Sequence, residues 1–219
     1  MVKAGQYNKL KVVRKADFGF YLDDGAEGIL LPNRFVPKNL NIGDEIEVLV
    51  YHDSEDRLIA TTQKPLGIVG DIVKLKTVST TPQGAFLDWG LMKDLFVAKS
   101  QQLTGMRTQG EYLVKIYRDE KTGRVAASEK FDSSLSNDQL TVKVLDEVDL
   151  IVYRRTNIGY VVIINNQHTG VLHHNEIYRT ISVGDNFKGF IKNIYPENNN
   201  IDVPAGKPAH KRGEDETEK

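Results

Sequence analysis

The same run of sequence elements occurs three times along this chain of 219 residues. Each copy has a glycine inside a short apolar run, and these glycines are Gly19, Gly84 and Gly159. The glycines lie 65 and then 75 residues apart. Self-similarity at a fixed period indicates a repeat architecture in which each copy folds as one small unit. We therefore expect three similar domains, although the length alone would suggest one or two.

The apolar residues of each repeat are β-branched or aromatic and lie in short runs, such as residues 46–51 and 160–164. Such runs favour strands, and five strands fit each repeat. A helical pattern is confined to one or two turns after the third strand, around residues 97–103 and 174–178. This order of elements is typical of a small Greek-key barrel of the oligonucleotide-binding (OB) type.

The predicted fold is therefore all-β, with three tandem five-stranded OB barrels. Their predicted bounds are 1–64, 65–130 and 140–203, and the polar residues 131–139 are predicted to be a linker. Residues 204–219 contain no large apolar side chain, so we expect a disordered, charged tail. Because isolated barrels of this size are marginally stable, we also expect the barrels to share interfaces.

The composition argues against several classes of protein. The chain has no cysteine, which excludes disulfides, cysteine nucleophiles and thiolate metal sites. Its five histidines show no metal-ligand spacing, and no phosphate-loop, nucleophile-elbow or dinucleotide-binding motif occurs. No apolar run is long enough to span a membrane, and the first residues lack the apolar stretch of a secretory signal. We expect a cytoplasmic protein that is not an enzyme, with no cofactor, metal site, small-molecule substrate or membrane partner.

The charge is nearly balanced, with 29 Lys and Arg against 30 Asp and Glu. A protein that binds phosphates by charge alone is usually basic. Any binding to nucleic acid is therefore expected to be local, moderate in affinity and assisted by base stacking.

The face of strands two and three usually forms the binding surface of OB barrels, where bases stack on exposed rings beside basic groups. The candidates are Lys9, Lys11, Phe18, Tyr21 and Arg57 in the first repeat, Phe86 and Arg124 in the second, and Tyr160 and His173 in the third. Phe18, Tyr21 and Arg57 are expected to converge on one exposed patch. Phe20 has the opposite parity to Tyr21 and is expected to be buried. For each of these rings a place in the core is an equally good interpretation, and a solvated strand edge explains the lysines equally well.

The motifs of the first repeat, in residues 18–22, 28–32, 43–44 and 53–57, resemble those of the S1 RNA-binding domain. Residues 170–173 add a matching phrase in the third repeat. The order of the three units, with residues 173–177 in the last, resembles the conserved virulence factor B family of bacterial S1-like RNA-binding proteins. The resemblance covers about residues 5–203.

The resemblance implies a protein that binds single-stranded RNA and acts in post-transcriptional regulation. In S1 domains the RNA contacts are two aromatic residues beside the strand-two glycine, a histidine after strand three, and an Asp and an Arg before strand five. By position these are Phe18, Tyr21, Asp53 and Arg57 in the first repeat, Phe86, Asp119 and Arg124 in the second, and His173 in the third. The first repeat is thus the most complete site.

Members of that family also end in a winged-helix domain, which has no counterpart after residue 203. This difference implies weaker binding or dependence on a protein partner. Two alternatives stay open: a protein–protein interaction scaffold built of degenerate barrels, and an RNA-binding subunit of a nuclease or transcription complex.

Overall fold

The structure is a computed structural model that describes residues 1–177 and 180–204. The described residues are almost entirely strands, turns and short 3₁₀ helices, which confirms the all-β prediction. Two compact units are present, Met1–Lys130 and Phe131–Lys219. The predicted tail lies outside the described residues from position 205 onward. Within the described ranges no helix is long and apolar enough to cross a membrane.

The first barrel is closed and has the predicted five strands. They are β1 (Tyr7–Ala16), β2 (Gly19–Leu22), β3 (Ile29–Pro32), β4 (Glu45–His52) and β5 (Leu58–Thr61). The strand order is β1-β2-β3-β5-β4, and β3 runs parallel to β5. A 3₁₀ helix over Asn33–Phe35 follows the third strand, where the sequence predicts a short helix.

The second barrel repeats this arrangement. Its strands are β6 (Ile72–Thr81), β7 (Gly84–Asp88), β8 (Leu95–Ala98), β9 (Glu111–Arg118) and β10 (Val125–Ser128). They form a sheet in the order β10-β9-β6-β7-β8, and a 3₁₀ helix over Lys99–Gln101 again follows the third strand.

The first two barrels share an apolar core, as their small size leads one to expect. Leu49 and Tyr51 of β4 belong to the same buried cluster as Trp89 and Leu91 of the second barrel. Ile59 of β5 packs against this cluster. One face of the first barrel is therefore the interface with the second.

The glycine of each repeat is explained by a close approach of strand two to strand three. A Cβ atom would lie 2.0 Å from the main-chain oxygen of Leu31 at Gly19, 2.3 Å from that of Val97 at Gly84, and 1.9 Å from that of Leu172 at Gly159. No residue with a side chain fits at such distances, so the three equivalent positions are glycine for the same steric reason.

The third barrel has six strands where five are predicted. They are β11 (Glu147–Arg155), β12 (Gly159–Ile164), β13 (His168–His173), β14 (Asn186–Phe190), β15 (Asn193–Tyr195) and β16 (Asn200–Asp202), and a 3₁₀ helix over His174–Glu176 follows β13. The fourth strand is interrupted after β14 because the chain changes partner there. Ile191 donates its N–H to the carbonyl of Asp146, whereas Lys192 donates to that of Asp202 in β16.

The segment predicted as a linker, residues 131–139, is bonded to the third barrel. Phe131 is buried, and its ring lies 5.6 Å from that of Tyr153 between centroids. The Asn137 amide donates to the carbonyl of Thr169 at 2.8 Å and accepts from its N–H at 2.9 Å. This segment therefore follows a defined path on the barrel surface.

Candidate functional site

Phe18 and Tyr21 occupy different surroundings on the first barrel. Phe18 lies in the turn between β1 and β2 and is 79% exposed. Tyr21 is half-buried, because the guanidinium of Arg14 lies 3.7 Å from the centroid of its ring. Phe20, which has the opposite parity to Tyr21, is buried, as the strand alternation predicts.

Asp53 and Arg57 bond to each other in the loop between β4 and β5. Arg57 donates from Nε to the Asp53 carboxylate at 3.2 Å and also pairs with Glu55 at 3.0 Å. Burial opposes ionisation of Asp53, but N–H groups of Arg57 and Glu55 and the Arg57 charge together lower its pKa. Among the described residues no hydrogen bond or ring contact joins Arg57 to Phe18 or Tyr21, so their convergence stays a prediction.

Lys9 and Lys11 are exposed and lie on the part of β1 that pairs with β4, opposite Glu47 and Glu45. Tyr21 instead pairs with the other end of β1, at Arg14. The structure thus separates the two lysines from the aromatic candidates along the strand.

The second barrel carries a pair of aromatic rings on its outer face. Phe86 on β7 lies opposite Phe96 on β8, with 5.2 Å between the ring centroids. Both rings are half-buried, whereas their neighbours Leu87 and Leu95 point into the core. A groove of about 590 Å³ runs over these rings. Its lining also includes Tyr51, His52, Lys93, Asp94, Tyr117, Asp119, Arg124 and Ala126.

Asp119 and Arg124 lie at one wall of this groove and make different contacts. The Asp119 carboxylate accepts the N–H groups of Lys121 at 2.8 Å and Thr122 at 3.0 Å. These two bonds lower the pKa of Asp119 and hold the loop before β10. The Arg124 guanidinium pairs with Asp56 of the first barrel. Arg124 therefore lies both in the groove and at the junction of the two barrels.

The first barrel completes the groove. Tyr51 and His52 of β4 belong to its lining. Lys93 donates from Nζ to the main-chain oxygen of Asp53 at 2.9 Å, so the loop after β4 is attached beside the groove. The loop that carries the predicted residues Asp53 and Arg57 is therefore next to the second barrel's aromatic face.

Sequence reasoning missed Phe96, Tyr117, Lys93 and His52 as groove residues. Phe96 lies in the continuous apolar run 95–98, where parity cannot be read from hydrophobicity. Its place opposite Phe86 follows only from the register of β7 and β8. His52 reaches the groove through the packing of one barrel on another, which leaves no local sequence signal.

The candidate residues of the third barrel, Tyr160 and His173, bond to other residues of that barrel. Tyr160 occupies the position of Phe20, packs against the core and donates to the carbonyl of Ile181 at 3.3 Å. His173 ends β13, with Nε2 at 3.2 Å from the Asp202 carboxylate. Val161 stands at the position of Tyr21.

Within residues 1–177 and 180–204, no cluster of three or more His, Asp or Glu side chains is arranged to hold a metal ion.

Comparison with known proteins gives a match to the S1 domain over residues 4–63, which is the first barrel. The uncharacterized protein YitL of Bacillus subtilis (strain 168) is 35% identical over 98 residues. That alignment covers 44% of this chain and 33% of YitL, so the matched region spans about a third of that relative.

Among solved structures, a multidomain protein from Streptococcus pneumoniae TIGR4, described as having nucleic acid binding domains, has a TM-score of 0.52 at 15% identity. The alignment covers 93% of this chain and 74% of that protein, which shows that the fold is shared. The S1-domain match thus applies to the first barrel, and the likeness to the solved structure extends the shared fold over most of the chain.

Proposed function

We propose that this protein is a non-enzymatic, cytoplasmic protein that binds single-stranded RNA in the groove of its second barrel. We also propose that it acts in bacterial post-transcriptional regulation, within the conserved virulence factor B family that its sequence resembles. The S1-domain match supports a nucleic-acid-binding protein rather than an enzyme. The pair Phe86 and Phe96 on an open face is the observation on which the RNA-binding proposal rests.

The groove suits unpaired bases. Aromatic side chains on an OB face offer π-faces on which successive bases stack, and this interaction accepts any base. In a duplex the same base faces are covered by neighbouring bases, so they cannot reach the rings. A groove that relies on Phe86, Phe96 and Tyr117 should therefore discriminate strongly against double-stranded RNA.

The charges around the groove favour moderate affinity. Lys93 and Arg124 are the cations of its lining, and Asp94 and Asp119 lie beside them. Burial, together with the nearby Asp88, raises the pKa of Asp94. Only a small number of phosphates can be neutralised here, so the salt dependence of binding should be shallow.

The corresponding face of the first barrel is less suitable. There Leu30 stands at the position of Phe96, and Ile59 at that of Ala126. Ile59 packs against the shared core, whereas the small Ala126 leaves the groove open. The first barrel keeps one ring of the pair, Tyr21, and that ring is covered by Arg14.

The proposal is tested by titrating the full chain with labelled U-rich and A-rich single strands and with an RNA duplex of the same sequence. We expect the wild type to bind the single strands and Phe86→Ala to bind them more weakly. Phe18→Ala is the matched control, because Phe18 is an exposed ring outside the groove. Equal binding by wild type and Phe86→Ala, or tighter binding of the duplex, would contradict the proposal.

A further inference from the structure

His52 is a groove residue that the first barrel supplies. It is the last residue of β4 and lines the aromatic groove of the second barrel. Two contacts hold this end of β4 in place. The adjacent Tyr51 meets Trp89 edge-on, and the carbonyl of Asp53 accepts from Lys93. The imidazole is therefore carried into the groove on a rigid strand rather than on a loop.

One nitrogen of the His52 imidazole has no partner among the described residues. Nδ1 is buried without a hydrogen bond. Buried polar groups in folded proteins are nearly always bonded, so an unpaired buried nitrogen on a groove residue calls for an explanation. One explanation is that the ring reorients when a ligand supplies the partner.

The protonation state of the imidazole indicates which chemical group of a nucleic acid can bond to it. Burial lowers the pKa of His52, and the positive charges of Lys93 and Arg124 lower it further, against the opposing effect of Asp56 and Asp53. The lowered pKa favours the neutral ring, which has one N–H donor and one acceptor nitrogen. A phosphate offers only acceptors, whereas the edge of a nucleobase offers both donors and acceptors.

We infer that His52 is a specificity-determining residue of the groove, which hydrogen-bonds the edge of a base while the second barrel supplies the stacking rings. This inference rests on the proposed function, because it requires an unpaired base in the groove. The two barrels then act as one recognition unit, in which Phe86 and Phe96 provide affinity for any base and His52 provides preference among bases.

The test compares two substitutions in the full chain. His52→Phe keeps an aromatic ring of similar shape and removes both nitrogens, whereas His52→Gln keeps a donor and an acceptor. Affinities are measured for short U, A and C homopolymers. We expect the wild type to prefer one homopolymer, and His52→Phe to lose about 3- to 10-fold in affinity for it, as the loss of one hydrogen bond implies. Affinities for the other homopolymers should change by less than about two-fold, and His52→Gln should retain part of the preference.

The results separate this inference from the proposed function. If the wild type binds no single strand, the proposed function fails. If Phe86→Ala weakens binding while His52→Phe leaves the affinities for all homopolymers unchanged, only the role of His52 is overturned. A wild type that binds all homopolymers equally overturns that role as well. Imidazole ¹⁵N shifts of His52 provide a readout without substitution, since they should move on addition of the preferred homopolymer and stay fixed if the ring only fills space.

Discussion

Tyr51 of the first barrel and Trp89 of the second meet edge-on, with 6.5 Å between ring centroids and 88° between ring planes. Both side chains are buried, at 5% and 2% exposure, and the indole N–H donates to the carbonyl of Lys93 at 2.7 Å. The contact joins the cores of two barrels that would each be marginal alone. It also fixes the loop that places Lys93 in the groove.

Tyr51→Ala should destabilise both barrels together. Loss of a large buried aromatic side chain costs about 3–5 kcal/mol, because a cavity is left behind. Trp89 is the only tryptophan, so its fluorescence in a denaturant titration reports on this unit. We expect one cooperative transition at lower denaturant than for wild type. Phe18→Ala, which removes an exposed ring, should shift the midpoint little, and two separate transitions in wild type would contradict a shared core.

Gly84→Ala should be destabilising for a purely steric reason. The added Cβ would lie 2.3 Å from the carbonyl oxygen of Val97, so β7 and β8 must move apart. Overpacking of this kind costs about 1–3 kcal/mol. Gly43→Ala is the matched comparison, because Gly43 has φ +96° and open space around its Cβ position. It should lose only the backbone cost of about 1–2 kcal/mol.

The two glycine variants also differ in their effect on ligand binding. Separation of β7 from β8 disturbs the pair Phe86 and Phe96, whereas the turn at Gly43 lies outside the groove lining. Gly84→Ala should therefore weaken RNA binding under conditions in which the protein remains folded. Equal RNA affinity for both variants would argue against strand spacing as the basis of the ring pair.

The contributions of base stacking and of phosphate contacts to RNA affinity should differ in how they depend on salt concentration. Phe86→Ala should cost about 1–3 kcal/mol of single-strand affinity with an unchanged salt slope, because a ring neutralises no phosphate. Lys93→Gln should lower the slope by about one if the ammonium meets a phosphate. Affinities at several salt concentrations measure both effects. A triple alanine variant at Phe18, Tyr21 and Arg57 that loses more affinity than Phe86→Ala would return the main site to the first barrel.

Tyr153 should titrate abnormally. Burial and, next, its hydrogen bond to Asp132 raise the pKa of Tyr153 to about 12, from a usual value of 10.0. In the unfolded chain the phenol ionises near the usual value, so between pH 10 and 12 the unfolded state binds fewer protons than the folded state. The stabilising contribution of Tyr153 is therefore complete below about pH 10 and is lost as the pH rises through 12.

The measurement is an alkaline titration of phenolate absorbance in wild type and Tyr153→Phe. The substitution should remove one ionisation near pH 12 and lower the stability of the third barrel by about 0.5–1.5 kcal/mol at neutral pH. If the ionisation lost in Tyr153→Phe lies near pH 10 instead of pH 12, Asp132 does not hold the phenol.

The repeat and the all-β fold could be predicted because their signals are local. A glycine that lies against a carbonyl of the next strand recurs at Gly19, Gly84 and Gly159 and marks the same close approach of strand two to strand three each time. The six strands of the third barrel could not be predicted, since the break at residues 191–192 depends on which strand accepts each N–H.

The groove depends still more on contacts between distant residues. Phe86 could be proposed from its place beside a strand glycine, but Phe96 required the register of two strands. Tyr21 and Arg57 belong to the same motif as Phe86. The guanidinium of Arg14 covers the Tyr21 ring, however, and the Arg57 guanidinium pairs with Asp53 and Glu55. A motif gives the residue types of a site, whereas their availability depends on what the rest of the chain packs against them.

The bonds of Asn137 have a consequence for how this protein can change over time. Its amide bonds to the main chain of Thr169 on both sides and also donates to the main-chain oxygen of Asn199. A side chain that bonds to backbone atoms recognises the path of a strand and not the identity of its residues. Position 169 is therefore free to drift among side chains that suit a strand, while position 137 is restricted to a residue with both a donor and an acceptor. Divergent copies of this chain should keep the amide and lose the resemblance around it.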